Sequence, residues 1–373
     1  MNSADLPIEK QRTLHENGAS LPYNSRMSYL EIILPFGIPP ASLAKQLLQQ
    51  AQVPSLSRLI SFAKPSHSMR LSQFARLLPH EYWVYTRESS HTKPKLANPD
   101  DRYTSPAIAH NLMMSAGLIA TDSKDHTAHW FVLQPAHIHI ARDHLVLTDP
   151  GRLDITEKEA QELFKIAAEI CNESGFSLRF GDLKTWFLRA DPWRDLQTAS
   201  VSAAAGHNMD IWMAEGEHAR AWRKLQNEIQ MAWHACAINV EREAIGEAAI
   251  NSVWIHGGSS DLHAVQVERG IQNLNKFLSG TVNNNHGKIV QIDELLEPAL
   301  NSDWGEWLIQ LNALERQCFA PLLQALESGH LDSFELVLSD GEQIAAFMCR
   351  KSHWFHRFKK PNLQRLHNLV SPV

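Results

Sequence analysis

Across residues 217–261 the pattern of hydrophobic and polar positions changes period. Trp222, Leu225, Ile229, Ala232, Trp233, Cys236 and Val240 recur at helical spacing, with Arg220, Arg223, Lys224, Asn227 and Glu228 largely elsewhere. This predicts one long helix burying a wide apolar face. The short apolar run 252–256 then predicts a strand that stops at Gly257 and Gly258, where backbone can approach a ligand closely.

The same reading extends along the chain. Residues 1–27 are polar and predict a mobile leader. The run 29–34 (YLEIIL) predicts a strand, ended by the proline-rich 35–40, and helices follow at 41–51 and from Pro54. Between 71 and 117 the pattern suggests a helix, an aromatic strand at 82–85, a polar loop with Pro94 and Pro99, and a helix from about Ser105. Residues 156–171 form an amphipathic helical pattern, and 176–180 with 185–188 a hairpin around Gly181-Asp182. A strand-like 262–267, an Asn-rich turn at 283–285, a helical 303–327 and a hairpin around Asp340-Gly341 complete the chain.

Composition narrows the class. A chain of 373 residues with 44% hydrophobic content can bury a sizeable core, and no long Pro/Gly/Ser linker divides it. We therefore read 28–373 as a single α/β domain or two lobes of one. The net charge of −6 argues against nonspecific nucleic-acid binding. No run approaches the ~18 apolar residues of a membrane span, and residues 1–27 lack the order of a signal peptide, so a cytoplasmic location is expected without a membrane partner. The four cysteines are scattered, suggesting neither a disulfide framework nor a cysteine zinc site.

Candidate chemistry lies in four places. Thr104 or Ser105 stands at the expected helix start, where a hydroxyl either caps the helix or serves as a nucleophile beside an anion-favouring N-terminus. Asp122, Asp125, His126 and His129 precede His137 and His139, which share a strand face, and Asp143 follows. The group is either a divalent-metal site or a solvated loop and turn. Asn239 and Arg242 follow the long helix, and Arg242 either holds an anion or locks the following loop. The terminal 350–360 interleaves cations with aromatics, as a docking amphipathic segment or a phosphate-binding one.

Asn239, Arg242, Gly246, Asn251, Trp254, Gly257 and Gly258 resemble the N-x-x-R-x-x-x-G…N-x-x-W-x-x-G-x-G segment of archaeal-type cofactor-independent phosphoglycerate mutases, in the alkaline phosphatase superfamily. The ILPFGIPP opening, the Pro135-x-His137 strand and the aromatic-basic end resemble bacterial regulatory proteins of RpfE type, and that likeness covers most of the chain. The resemblance implies an α/β fold: a mixed, mainly parallel sheet flanked by helices, with added antiparallel hairpins. It also implies that 29–34 and 252–256 share that sheet, with the Trp222 and Trp233 helix on its face. The competing arrangement is an unrelated α+β fold. In the superfamily the first strand delivers an aspartate to a two-metal centre, whereas 34–37 here reads Leu-Pro-Phe-Gly. The resemblance thus implies a divergent mutase-like protein that has lost two-metal catalysis and acts by binding a phosphorylated small molecule or a regulatory protein, with Asn239, Arg242, Asn251, Gly257 and Gly258 as an anion site. The alternative is a surviving phosphomutase or related phosphoryl-transfer enzyme that uses divalent metal.

Overall fold

The computed structural model describes residues 30–88, 105–119, 127–260, 267–280 and 288–351, with Leu363, Leu366 and Asn368. The expected leader, Thr104, Asp122, Asp125, His126, the 283–285 turn, nearly all of 262–267 and the aromatic-basic stretch beyond Lys351 lie outside the described residues.

In chain order, β1 (Leu30–Leu34), α1 (Ala44–Gln50), α2 (Pro54–Phe62), β2 (Lys64–Arg70), α3 (Pro79–Glu88) and α4 (Ala109–Ser115) come first. Next are β3 (Trp130–Ala136), β4 (Ile138–Ala141), β5 (His144–Leu147), α5 (Glu157–Glu173), β6 (Ser177–Phe180), β7 (Trp186–Arg189), α6 (Val201–Ala204) and α7 (Met209–Trp212). Then follow α8 (Ala219–His234), α9 (Ala237–Ala244), β8 (Ser252–Ser259), β9 (Val267–Arg269), α10 (Ile271–Leu278) and β10 (Lys288–Gln291). The chain ends with α11 (Leu296–Leu300), α12 (Trp304–Leu314), α13 (Ala320–Ser328), β11 (Ser333–Ser339) and β12 (Gln343–Arg350).

These elements make a mixed α/β fold around a six-stranded sheet in the order β2-β12-β11-β1-β10-β9. Strands β11, β1, β10 and β9 run parallel, with β9 at one edge, and β12 and β2 extend the other side antiparallel. Side chains alternate across the sheet. Leu30, Ile32 and Leu34 point into a core shared with α1, α2, α10, α12 and α13. Ile33, Val337 and Ile289 face α3 through Trp83. Glu31 is fully buried on that second face and accepts a hydrogen bond from Trp83 Nε1.

A second, antiparallel sheet has the order β6-β7-β3-β8. Here the expectation of one shared sheet is corrected: β8 pairs with β3, whereas β1 lies in the six-stranded sheet. The tryptophan helix packs on the second sheet. Trp222, Leu225, Ile229 and Trp233 of α8 meet Trp186, Leu188, Val253 and Ile255, along with Leu163 and Ala167 of α5. Burying each of these large apolar side chains contributes on the order of 2–3 kcal/mol.

Three further elements differ from the pattern-based reading. The aromatic 82–85 stretch belongs to helix α3, because Pro79 opens a first turn and Glu81 Oε2 accepts the Leu78 N–H at 2.7 Å. Those terminal signals outweigh aromatic strand propensity. The long helix breaks at Cys236, which is extended, so α8 and α9 are separate and Val240 is exposed. Finally, α4 starts at Ala109 and Ile108 occupies its N-cap position, so Ser105 is not a helix cap.

Candidate functional site

In a parallel sheet, ligands are expected beyond the carboxyl ends of the strands. At the end of β1, Leu34 is buried, Pro35 and Phe36 turn the chain with Phe36 at φ 54°, and the Gly37 N–H returns to Leu34 O at 3.1 Å. A Cβ on Gly37 would lie 2.9 Å from a Leu338 methyl, so apolar packing fills the corner. Hard divalent cations require carboxylate or carbonyl oxygens, and these side chains do not fit a metal pair.

Carboxylates do stand at the neighbouring strand ends, but they are engaged. Asp293 accepts from Arg269 Nη1 at 2.9 Å and from Gln291 Nε2 at 2.6 Å. Asp340 takes the backbone N–H groups of Glu342 and Gln343, holding the β11–β12 turn. His80, on the first turn of α3, is buried. Burial lowers its pKa to about 4, with Asp293 opposing and Arg269 reinforcing the shift, so the ring is neutral at pH 7. Next to it, burial raises the Glu81 pKa against hydrogen bonds from Ser200 Oγ, at 2.6 Å, and from Leu78 N. Sequence reading missed this group because its members are spread over residues 80–293, and only the α/β crossover topology assembles them.

The Asn239 and Arg242 motif lies in the other sheet's layer. Asn239 is buried, and its Nδ2 donates to Trp233 O and Ile250 O, both at 2.9 Å, while its Oδ1 accepts from Ile250 N at 2.7 Å. One amide thereby satisfies the end of α8 and the entry to β8. The Arg242 side chain is 4% exposed; Nε donates to Ala248 O at 2.8 Å, and Nη1 reaches Glu159 at 2.8 Å and Glu247 at 3.1 Å. Glu159 also completes a capping box with Thr156 at the start of α5. Burial works against its ionised form, but hydrogen bonds from Thr156 and Arg242 hold its carboxyl below the usual range. Asn251 extends the pattern: its side-chain amide exchanges two 2.8 Å bonds with the Ile138 backbone, where β3 gives way to β4.

The paired glycines lie within β8, which continues to Ser259 instead of stopping at Gly257. Opposite them β3 contributes one residue fewer, since Trp130 pairs with Ser259 and Val132 with His256. Gly257, at φ 70°, makes the bulge that this mismatch requires. Segment 105–108 packs into it. Gly257 N donates to Ser105 Oγ at 2.8 Å, and Ile108 N donates to Gly257 O at 3.2 Å. Ser105 is buried, with its Oγ 2.6 Å from Thr198 Oγ1. A Cβ on Gly257 would meet Ile108 Cγ1 at 2.8 Å, and one on Gly258 would meet Phe131 Cε1 at 2.5 Å and His129 Nε2 at 3.0 Å. The close approach the glycines permit is thus made by this chain's own residues.

His137 and His139 stack with ring centroids 5.7 Å apart, as their spacing of two predicts. Nδ1 of His137 bonds Ala249 O at 2.7 Å, whereas Asp143 sits in the β4–β5 turn and pairs with His144. Among the described residues, no group of three or more His, Cys, Asp or Glu side chains is placed to hold a metal ion. No described helix is long and apolar enough to cross a membrane.

No protein-family model matches the sequence, and no curated protein matches it. Among solved structures, the chain is similar to the PH0037 protein of Pyrococcus horikoshii, with 10% identity and a TM-score of 0.46 over 87% of this chain and 88% of that one. It is also similar to a cofactor-independent phosphoglycerate mutase from Thermoplasma acidophilum, with 13% identity and a TM-score of 0.38 over 92% of this chain and 96% of the mutase.

Proposed function

We propose that this chain is a divergent phosphoglycerate-mutase-like protein that has lost two-metal catalysis and acts by binding, in a regulatory role, with a phosphorylated small molecule or a regulatory protein as its partner. The observation that carries the reading is the end of β1. In the family the sequence resembles, that strand end supplies a metal-binding aspartate; here Leu34 is packed in the core and a proline follows. An apolar corner cannot clamp phosphoryl oxygens through cations. The engagement of Asp293 and Asp340 by Arg269 and by a turn supports the same conclusion. Titration calorimetry with 3-phosphoglycerate in the presence of EDTA tests it. Saturable binding without conversion is expected. Conversion that disappears with EDTA and returns with manganese would establish the enzyme alternative instead.

A further inference from the structure

At the carboxyl end of β8, remote in sequence from β1, Ser260 Oγ lies 2.7 Å from His129 Nδ1 and accepts a hydrogen bond from Arg194 Nη1 at 2.6 Å. A guanidinium can only donate. That bond therefore uses a lone pair of the serine oxygen and leaves the hydroxyl hydrogen available to Nδ1. The imidazole then stands as a base within proton-transfer distance, and the cation stabilises the oxygen as it gains charge.

The surroundings hold this arrangement in place. Asp191 accepts the His129 backbone N–H at 2.6 Å and the Arg189 Nε–H at 2.9 Å. Partial burial works against its charge, but these hydrogen bonds hold its carboxyl below the usual range and keep it ionised. The His129 ring packs edge-on against Phe131 with centroids 4.7 Å apart, and the missing Cβ of Gly258 leaves room for Nε2. His129 is buried, while Ser260 is half-buried and the Arg194 side chain is 49% exposed, so the rim of the group is open to solvent. Of the five N–H groups of Arg194, the bonds to Ser260 and Thr127 O use two.

We propose that Ser260 is a nucleophile toward carboxylic esters, with His129 as its base and Arg194 as the donor that stabilises developing charge. Among the described residues, Arg194 places one guanidinium on the serine oxygen. This matches the single oxyanion of a tetrahedral intermediate, whereas a phosphoryl group spreads more negative charge and calls for more cations. Ser260 Oγ bonds to the carbonyl carbon while its proton passes to His129 Nδ1. The ester C–O bond then breaks, and the alcohol leaves with that proton. Water next attacks the acyl carbon, giving a proton to His129, and the serine oxygen departs and recovers it, releasing a carboxylic acid.

The test is covalent labelling of the full chain with a fluorophosphonate, read by intact mass and peptide mapping. One adduct on Ser260 is expected, absent in Ser260→Ala and formed about tenfold or more slowly in His129→Gln. Because His129 is packed against Phe131, a second variant guards against loss of fold. In Ser260→Cys the introduced thiol should be alkylated by iodoacetamide about tenfold or more faster than the partly buried Cys236 of the same chain. Absence of an adduct, labelling elsewhere, or an introduced thiol that reacts no faster than Cys236 would overturn the proposal.

Discussion

Replacing Arg242 by alanine separates a structural from a ligand-binding role for the motif that carries the family resemblance. The substitution removes a guanidinium that is 4% exposed and leaves Ala248 O, Glu159 and Glu247 without it. Breaking a buried ion pair from one side costs about 3–5 kcal/mol. Glu159 keeps its Thr156 bonds and Glu247 is half exposed, so about 2–4 kcal/mol is the expected loss here. In a chain of this size that corresponds to a fall in melting temperature of about 3–5 °C. Differential scanning calorimetry of Arg242→Ala, Glu159→Gln and the double variant measures it, and the two single losses should add to clearly more than the double. A melting temperature within about 1 °C of the wild type, with lost affinity for a phosphorylated compound, would refute the structural reasoning.

Asn239→Ala should cost about 2–4 kcal/mol by leaving Trp233 O, Ile250 O and Ile250 N unpaired, and chemical denaturation will show whether it does. Gly257→Ala, strained at φ 70° and placing a Cβ 2.8 Å from Ile108, should lose about 1–3 kcal/mol, whereas alanine at the open Gly206 should lose less. Burial lowers the pKa of both His80 and His256 to about 4 from an ordinary 6.5. The unfolded chain therefore takes up these protons near pH 6.5 and the folded chain only near pH 4. Their contribution is complete above pH 6.5 and falls as pH drops to 4, by about 3 kcal/mol for each histidine. Urea midpoints that stay level from pH 7 to pH 4.5 would contradict this, and His256→Gln should flatten the slope.

Local pattern made much of the fold readable. The apolar stripe of α5, the Gly181 hairpin and the Asp340 turn all appear where short-range chemistry placed them. Pattern failed where long-range pairing decides. Strand β2, KPSHSMR, has no apolar alternation because it is an exposed edge, formed by pairing with β12. Gly257 and Gly258 read as a strand terminator, but the bulge they make depends on β3 offering one residue fewer. Residues Asn239, Arg242 and Asn251 were legible as a group, yet their partners Glu159, Ile250 and Ile138 carry no signal in the motif itself. His129 was legible in sequence as a member of a candidate metal group or solvated loop, not as the partner of a serine. Its neighbours Ser260 and Arg194 come from positions 131 and 65 residues away, which no spacing rule connects.

Metal content measured beside turnover decides whether a two-metal centre survives in this chain. The full chain, equilibrated with zinc or manganese and then dialysed, is analysed by elemental mass spectrometry and assayed for mutase and phosphatase activity. With Leu34, Pro35, Phe36 and Gly37 at the end of β1, no stoichiometric metal pair and no metal-dependent turnover are expected. Two tightly held ions per chain, lost on chelation together with an activity, would show that two-metal catalysis has been retained.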